Sequence, residues 1–266
     1  MSIITLLTDF GSRDYFVGAM KGAILSINRH ALIIDITHEI PPQDIEAAAF
    51  NLFATYKDFP AGTIHLAVVD PGVGSTRKPI LIECGEQFFV GPDNGIFSWI
   101  CEREGSSRAI HLTNEAFFRQ PVSQTFHGRD VFAPVAAALS TGVAMTEFGE
   151  KLSEYVRLDP LMPAVRSDGT VAGRVIHIDR FGNCITNLTR AHLSADQAAG
   201  GVKLVINGRE ISSFRRFFSE GAVDRDDLFC LIGSAGFLEI AAHKSSAKTM
   251  LNAQRGNVVT LIPNRP

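Results

Sequence analysis

Three short apolar runs, residues 3–8, 31–36 and 64–69, alternate with segments whose apolar residues recur at helical spacing. No other feature constrains the fold as much. Runs of this length read as strands buried on both faces, and strands separated by helices build right-handed βαβ units with parallel pairing. From Asp14 the helical stripe is Phe16, Met20, Ile24 and Ile27, while Pro41-Pro42 and then Asp44 start a second helix carrying Ile45, Ala48, Phe50 and Phe53. Further strands are expected at residues 80–83 and 88–90, with a short helix from Ile96 and another over residues 129–139.

After Asp159-Pro160-Leu161-Met162-Pro163 the texture changes. Short strands at residues 170–178, 202–206, 228–232, 237–241 and 258–262, separated by turns such as Asn207-Gly208, predict a small antiparallel sheet or barrel. A chain of 266 residues is long enough for two unequal domains.

The formal net charge of −3, without a long run of one sign, offers no footprint for nucleic acid or an anionic membrane, and neither is expected as a partner. Cys84, Cys101, Cys184 and Cys230 lack paired spacing, which argues against a zinc cluster and a secreted disulfide framework and for reduced thiols in a cytoplasm. The first residues show no signal-peptide pattern, and no apolar stretch approaches bilayer length.

In open parallel sheets ligands bind beyond the carboxyl ends of the strands. The first strand ends in Asp9 and Asp14, the third in "VVDPGVGSTRK" with Asp70 and Arg77, and "TFHGRD" supplies His127 ahead of a helix. Each has a plainer reading. Asp9, Asp14 and Asp70 are ordinary turn or cap residues, Arg77 a solvated charge, and His127 a hydrogen-bonded structural histidine. Arg129 and Asp130 read as a structural pair at a helix start. "GVGSTRK" lacks phosphate-loop spacing and "GSAG" is not a nucleophile elbow. A hard metal on Asp9, Asp70 and His127 stays open, although no ligand pair has helical metal-binding spacing.

Six segments in order, "TDFGSRDYFVGAMKG", "VVDPGVGSTRKPI", "VGPDNGIFSW", "TFHGRDVFAPVAA", "IDRFGNCITN" and "IGSAGFLEIA", resemble the S-adenosyl-L-methionine (SAM) hydroxide adenosyltransferases, or SAM hydrolases, relatives of the fluorinases and chlorinases. The resemblance implies an α/β fold: a mostly parallel N-terminal α/β sandwich domain, residues 1–158, followed by a smaller C-terminal β-barrel domain, residues 168–266. It implies a homotrimer with the substrate in the seam between neighbouring subunits, and hydrolysis of SAM to adenosine and L-methionine without a cofactor or metal. By the same resemblance Asp70, Arg77 and His127 form the catalytic triad. Asp9 holds the ribose, Asp14 and Ser234 the methionine end, Asn183 the adenine, and Phe181 and Phe218 pack on the base. Asp70 stands where the halogenating relatives carry tyrosine, Gly128 where the fluorinase carries a halide-contacting serine, and Gln43 where it carries tryptophan; their inserted loop before the strand at Phe88 is absent. These departures favour water over halide. Two other readings use many of the same residues: a non-catalytic adenosyl-binding oligomer and a metal-dependent phosphoesterase.

Overall fold

In the computed structural model, residues 2–193, 202–221 and 227–263 are described. The chain divides into two units, Met1–Pro160 and Leu161–Pro266.

The first unit is built on a seven-stranded sheet of β1 (Ile3–Thr8), β2 (Leu32–Thr37), β3 (Ile64–Val68), β4 (Pro79–Cys84), β5 (Gln87–Pro92), β6 (Ser107–Leu112) and β7 (Gly149–Leu152), in the order β2-β1-β3-β5-β4-β6-β7. Pairs β1–β2, β1–β3 and β3–β5 are parallel. The other half, β5–β4, β4–β6 and β6–β7, is antiparallel, so the expected mostly parallel sheet is mixed. Chain length decides this, because β4 and β5 are joined by Gly85-Glu86 alone, and two residues close a hairpin but cannot make a crossover. Strands β6 and β7 carry too few apolar residues to be read from pattern.

The helices α1 (Phe16–Ile27), α2 (Ile45–Thr55), α3 (Ser98–Glu104) and α4 (Ala133–Ser140) complete this unit. Asp44 caps α2 as expected, its carboxylate accepting the Ala47 N–H at 3.0 Å. Asp14 caps nothing: the residue preceding α1 is Tyr15, without a side-chain cap, and Asp14 is exposed. Every residue of α4 from Ala133 to Leu139 is buried, which accounts for a helix apolar on all sides. The helix expected over residues 129–139 begins instead as a wide turn at Gly128–Phe132, in which the Ala133 N–H bonds the Gly128 carbonyl five residues back. Such turns recur at functional positions.

The second unit pairs its strands antiparallel, and one isolated bridge, Phe214 with Cys230, is parallel. Its strands β8 (Ala164–Val165), β9 (Val171–Ile178), β10 (Cys184–Thr189), β11 (Val202–Ile206), β12 (Arg209–Ile211), β13 (Leu228–Ile232), β14 (Phe237–Ala242) and β15 (Val258–Pro263) run in the order β12-β11-β15-β9-β10-β14-β13, with β8 on β9. Asn207 and Gly208 both take positive φ, 48° and 76°, and form the expected tight hairpin of β11 and β12. The chain after β12 then bonds β13, Cys230 donating to Ser213 and accepting from Arg215, so the sheet nearly closes on itself. Strand β10 escapes pattern reading because its buried Thr186 and Asn187 are polar; each is satisfied, by the Leu238 carbonyl and the Arg174 N–H respectively. The short helix α5 (Ala247–Leu251) completes the unit.

Candidate active site

Because β1 and β3 are parallel neighbours with Thr8 opposite Val68, the residues following them emerge at one edge of the sheet. Asp9 and Asp70 are those residues. The Asp70 carboxylate receives Arg77 Nε at 3.0 Å and Arg77 Nη2 at 2.5 Å, a two-pronged pair 5% and 8% exposed. The same Nη2 lies 3.0 Å from Nδ1 of His127. A guanidinium has no acceptor, so Nδ1 accepts, and neutral His127 carries its proton on Nε2. Burial, then the charge of Arg77, lowers the His127 pKa from its ordinary value. Burial pushes the Asp70 carboxyl up, opposed by Arg77. Arg77 Nη1 is buried and, among the described residues, unpartnered.

Gly74 explains how two distant loops meet. Its φ is +76°, and a Cβ there would lie 2.4 Å from the Gln124 carbonyl oxygen, so only glycine lets this turn rest against the segment that leads to His127. Two residues the sequence reading did not single out hold the ends of the loop. Asn94 Nδ2 donates to the Val69 carbonyl at 2.8 Å, next to Asp70, and the Asp93 N–H donates to the Lys78 carbonyl at 2.9 Å, next to Arg77. The available signal was an Asp-Asn-Gly turn directly after a strand.

Asp9 Oδ2 accepts the Gln43 N–H at 2.8 Å, and Gln43 has a φ of 65°. Arg129 and Asp130 form the expected pair, Nε to Oδ1 at 2.7 Å, with Asp130 fully buried. A Cβ on Gly128 would lie 3.2 Å from Met20 Sδ and 3.3 Å from Phe126, so a serine there needs both neighbours to yield. Among the described residues no three His, Cys, Asp or Glu side chains form a group that could hold a metal ion.

In the second unit a cleft of about 1010 Å³ is lined by Phe181, Asn183, Phe218 and Ser234, all four expected there, and also by Asp179 and Glu239. Phe181 is 77% exposed although aromatic, an open face suited to a flat ligand. Its turn is built by Asp179, whose Oδ1 accepts the N–H groups of Phe181 and Asn183 at 2.9 and 2.8 Å, while Asn183 Nδ2 donates to Oδ2.

Comparison with known proteins gives this geometry its context. The family model described as the SAM hydroxide adenosyltransferase N-terminal domain matches residues 4–149, and that of the C-terminal domain matches residues 173–260. This chain belongs to the SAM hydroxide adenosyltransferase family. An (R)-S-adenosyl-L-methionine hydrolase from Methanocaldococcus jannaschii is 38% identical, covering 98% of this chain and 96% of its own. One of the same name from Thermus thermophilus is 34% identical over 98% of this chain and 100% of its own. The crystal structure of an uncharacterized conserved protein from Thermotoga maritima superposes with a TM-score of 0.89 at 35% identity, covering 97% of this chain and 99% of that one. In this member of the family Asp70, Arg77 and His127 form one hydrogen-bonded cluster, and Phe181, Asn183, Phe218 and Ser234 line one cleft.

Proposed function

We propose that this chain is a SAM hydrolase, converting S-adenosyl-L-methionine and water to adenosine and L-methionine, and that it acts on the (R) sulfonium epimer for which its curated relatives are named. The observation that carries the mechanism is the buried Asp70–Arg77–His127 cluster with one guanidinium nitrogen, Arg77 Nη1, left without a partner among the described residues.

Water attacks the 5′ carbon in line with the departing sulfur: a C–O bond forms, the C–S pair returns to sulfur as a neutral thioether, and one proton leaves the oxygen. The leaving group is already good. The protein must hold the oxygen close and in line and keep bulk water away from it. Arg77 stays protonated, so it positions the oxygen and stabilises charge on it rather than acting as a base. His127 Nδ1 is engaged by Arg77, so His127 accepts a proton only when that bond opens or its Nε2 proton leaves. Asp70 keeps the guanidinium oriented. Asp9 binds the ribose hydroxyls, Asp14 and Ser234 the methionine end, and Asn183, Phe181 and Phe218 the adenine. The half-sites of neighbouring subunits complete one another in a homotrimer, and the second unit serves as the family's β-barrel. Four free, buried cysteines suit a reducing cytoplasm, and among the described residues no helix is long and apolar enough to cross a membrane.

Incubating the purified protein with each sulfonium epimer and separating products by chromatography tests the reading; adenosine and methionine are expected, faster from the (R) form and unaffected by chelator or chloride. Binding without turnover supports a non-catalytic adenosyl-binding protein, and loss of activity with chelator supports the metal-dependent phosphoesterase. Light scattering at three times the chain mass is expected; a monomer overturns the shared site.

A further inference from the structure

Asp9 is followed in the chain by Phe10 and Gly11, and one residue from the end of the neighbouring strand holds this turn on both sides. His38 lies just beyond β2. Its carbonyl accepts the Gly11 N–H at 2.8 Å, and its Nδ1 lies 2.9 Å from Oγ1 of Thr8, an oxygen that also accepts the Phe10 N–H at 3.2 Å. Asp9 is thus bracketed by bonds at residues 8, 10 and 11. The contact exists because the parallel register of β1 and β2 slips by one residue, Leu6 pairing with Asp35 but Leu7 with Thr37, which brings His38 level with Thr8. Slips of this kind re-aim side chains beside active sites.

Burial places the protons. Thr8 is fully buried, and among the described residues its hydroxyl has no acceptor other than His38 Nδ1, so the hydroxyl donates there and neutral His38 carries its proton on Nε2. Nε2 faces Asp35 Oδ1 at 3.2 Å without forming a hydrogen bond, and Lys21 bonds the other Asp35 oxygen at 2.6 Å. The His38 side chain is only 10% exposed. Asp9 gives its Oδ2 to the Gln43 N–H, so what it offers a ligand depends on how the turn aims the rest of the carboxylate. A misplacement of about 1 Å is enough to spoil such a contact.

We infer that His38 is a positioning residue for ribose binding: through Nδ1 and Thr8 it fixes the turn from which Asp9 meets the ribose hydroxyls. This rests on the reading of Asp9 as the ribose acceptor and adds a residue that acts only through it. Two nucleosides isolate the effect: adenosine, and 2′,3′-dideoxyadenosine, which lacks both hydroxyls. By calorimetry, His38→Leu should weaken adenosine by about three- to tenfold, the scale of one hydrogen bond, and leave the dideoxy compound within about twofold. His38→Asn, whose Oδ1 can stand where Nδ1 accepts, should recover most of the loss. Thr8→Val keeps the shape of a buried strand residue, should repeat the His38→Leu result from the other end of the bond, and decides the matter if His38→Leu does not fold. Added to Asp9→Ala, His38→Leu should cost adenosine nothing more, and alone it should raise KM for hydrolysis by its own factor with kcat within about twofold. Equal losses for the two nucleosides, additive losses with Asp9→Ala, or unchanged adenosine binding overturn the inference. If Asp9→Ala does not itself separate the two nucleosides, the ribose reading of Asp9 falls and takes the inference with it.

Discussion

Arg77 Nη2 lies 3.0 Å from Nδ1 of His127, and this contact fixes which ring nitrogen carries the proton. Nitrogen-15 spectra of the histidine rings at neutral pH should show His127 as the Nε2–H tautomer. A protonated Nδ1 at that pH contradicts the arrangement.

Asp70→Asn, Arg77→Lys and His127→Gln should each lower turnover by about 100- to 1000-fold, the scale for removing a donor or its orienting partner at a reacting centre, with KM moving much less. Asp70→Ala is the less clean variant. It leaves the 8%-exposed Arg77 uncompensated, and breaking such a pair costs roughly 3–5 kcal/mol of stability. Parent-like turnover in all three conservative variants removes the cluster from the mechanism.

The pH profile follows from the lowered His127 pKa. Neutral imidazole is the form that accepts the Arg77 hydrogen bond, and a lowered pKa keeps the ring neutral to a more acid pH than a free histidine. Turnover should therefore hold as pH falls through about 6.5, the ordinary histidine value, and decline only below it. In His127→Gln this acid limb should disappear; its persistence assigns the limb to another group.

Gly74→Ala imposes an unfavourable positive φ and a contact at 2.4 Å with a backbone oxygen that cannot rotate away. Strain of this kind costs of order 1–3 kcal/mol, so the thermal midpoint should fall by several degrees, and turnover should fall further because His127 moves relative to Arg77. An unchanged midpoint together with unchanged turnover shows that this close approach does not hold the loops.

Asp9→Ala removes the acceptor of the Gln43 N–H as well as the expected ribose contact. KM should rise by about tenfold, the scale of a charged hydrogen bond, with a smaller change in kcat. An unaltered KM takes Asp9 out of the site.

Local patterns made much of this molecule legible. The runs that became β1, β2 and β3, the Asp44 cap and the Asn207-Gly208 turn depend on near neighbours in the chain, and each appears where its pattern placed it, although β2, read as buried, is an edge strand with no buried residue. In the other half of the first sheet β4 and β5 were legible as strands, but their antiparallel pairing and the strands β6 and β7 were not. Strand β6 is defined by the strands beside it rather than by its own composition, and β10 hides its buried face behind Thr186 and Asn187. The Asp93-Asn94 clamp showed in sequence only as a turn after a strand, since Asn94 acts on a carbonyl 25 residues earlier.

By itself the sequence determined which chemistry is on hand: acids at strand ends, one arginine in a glycine-bearing turn, one histidine before a helix, and family-wide motifs around them. Only the tertiary structure decided that Arg77 binds both Asp70 and His127 and that His127 offers an N–H at Nε2. The reason is physical. Strand and turn propensities act over a few residues, whereas hydrogen-bond partners, burial and proton positions are set by groups that meet only when distant segments pack together.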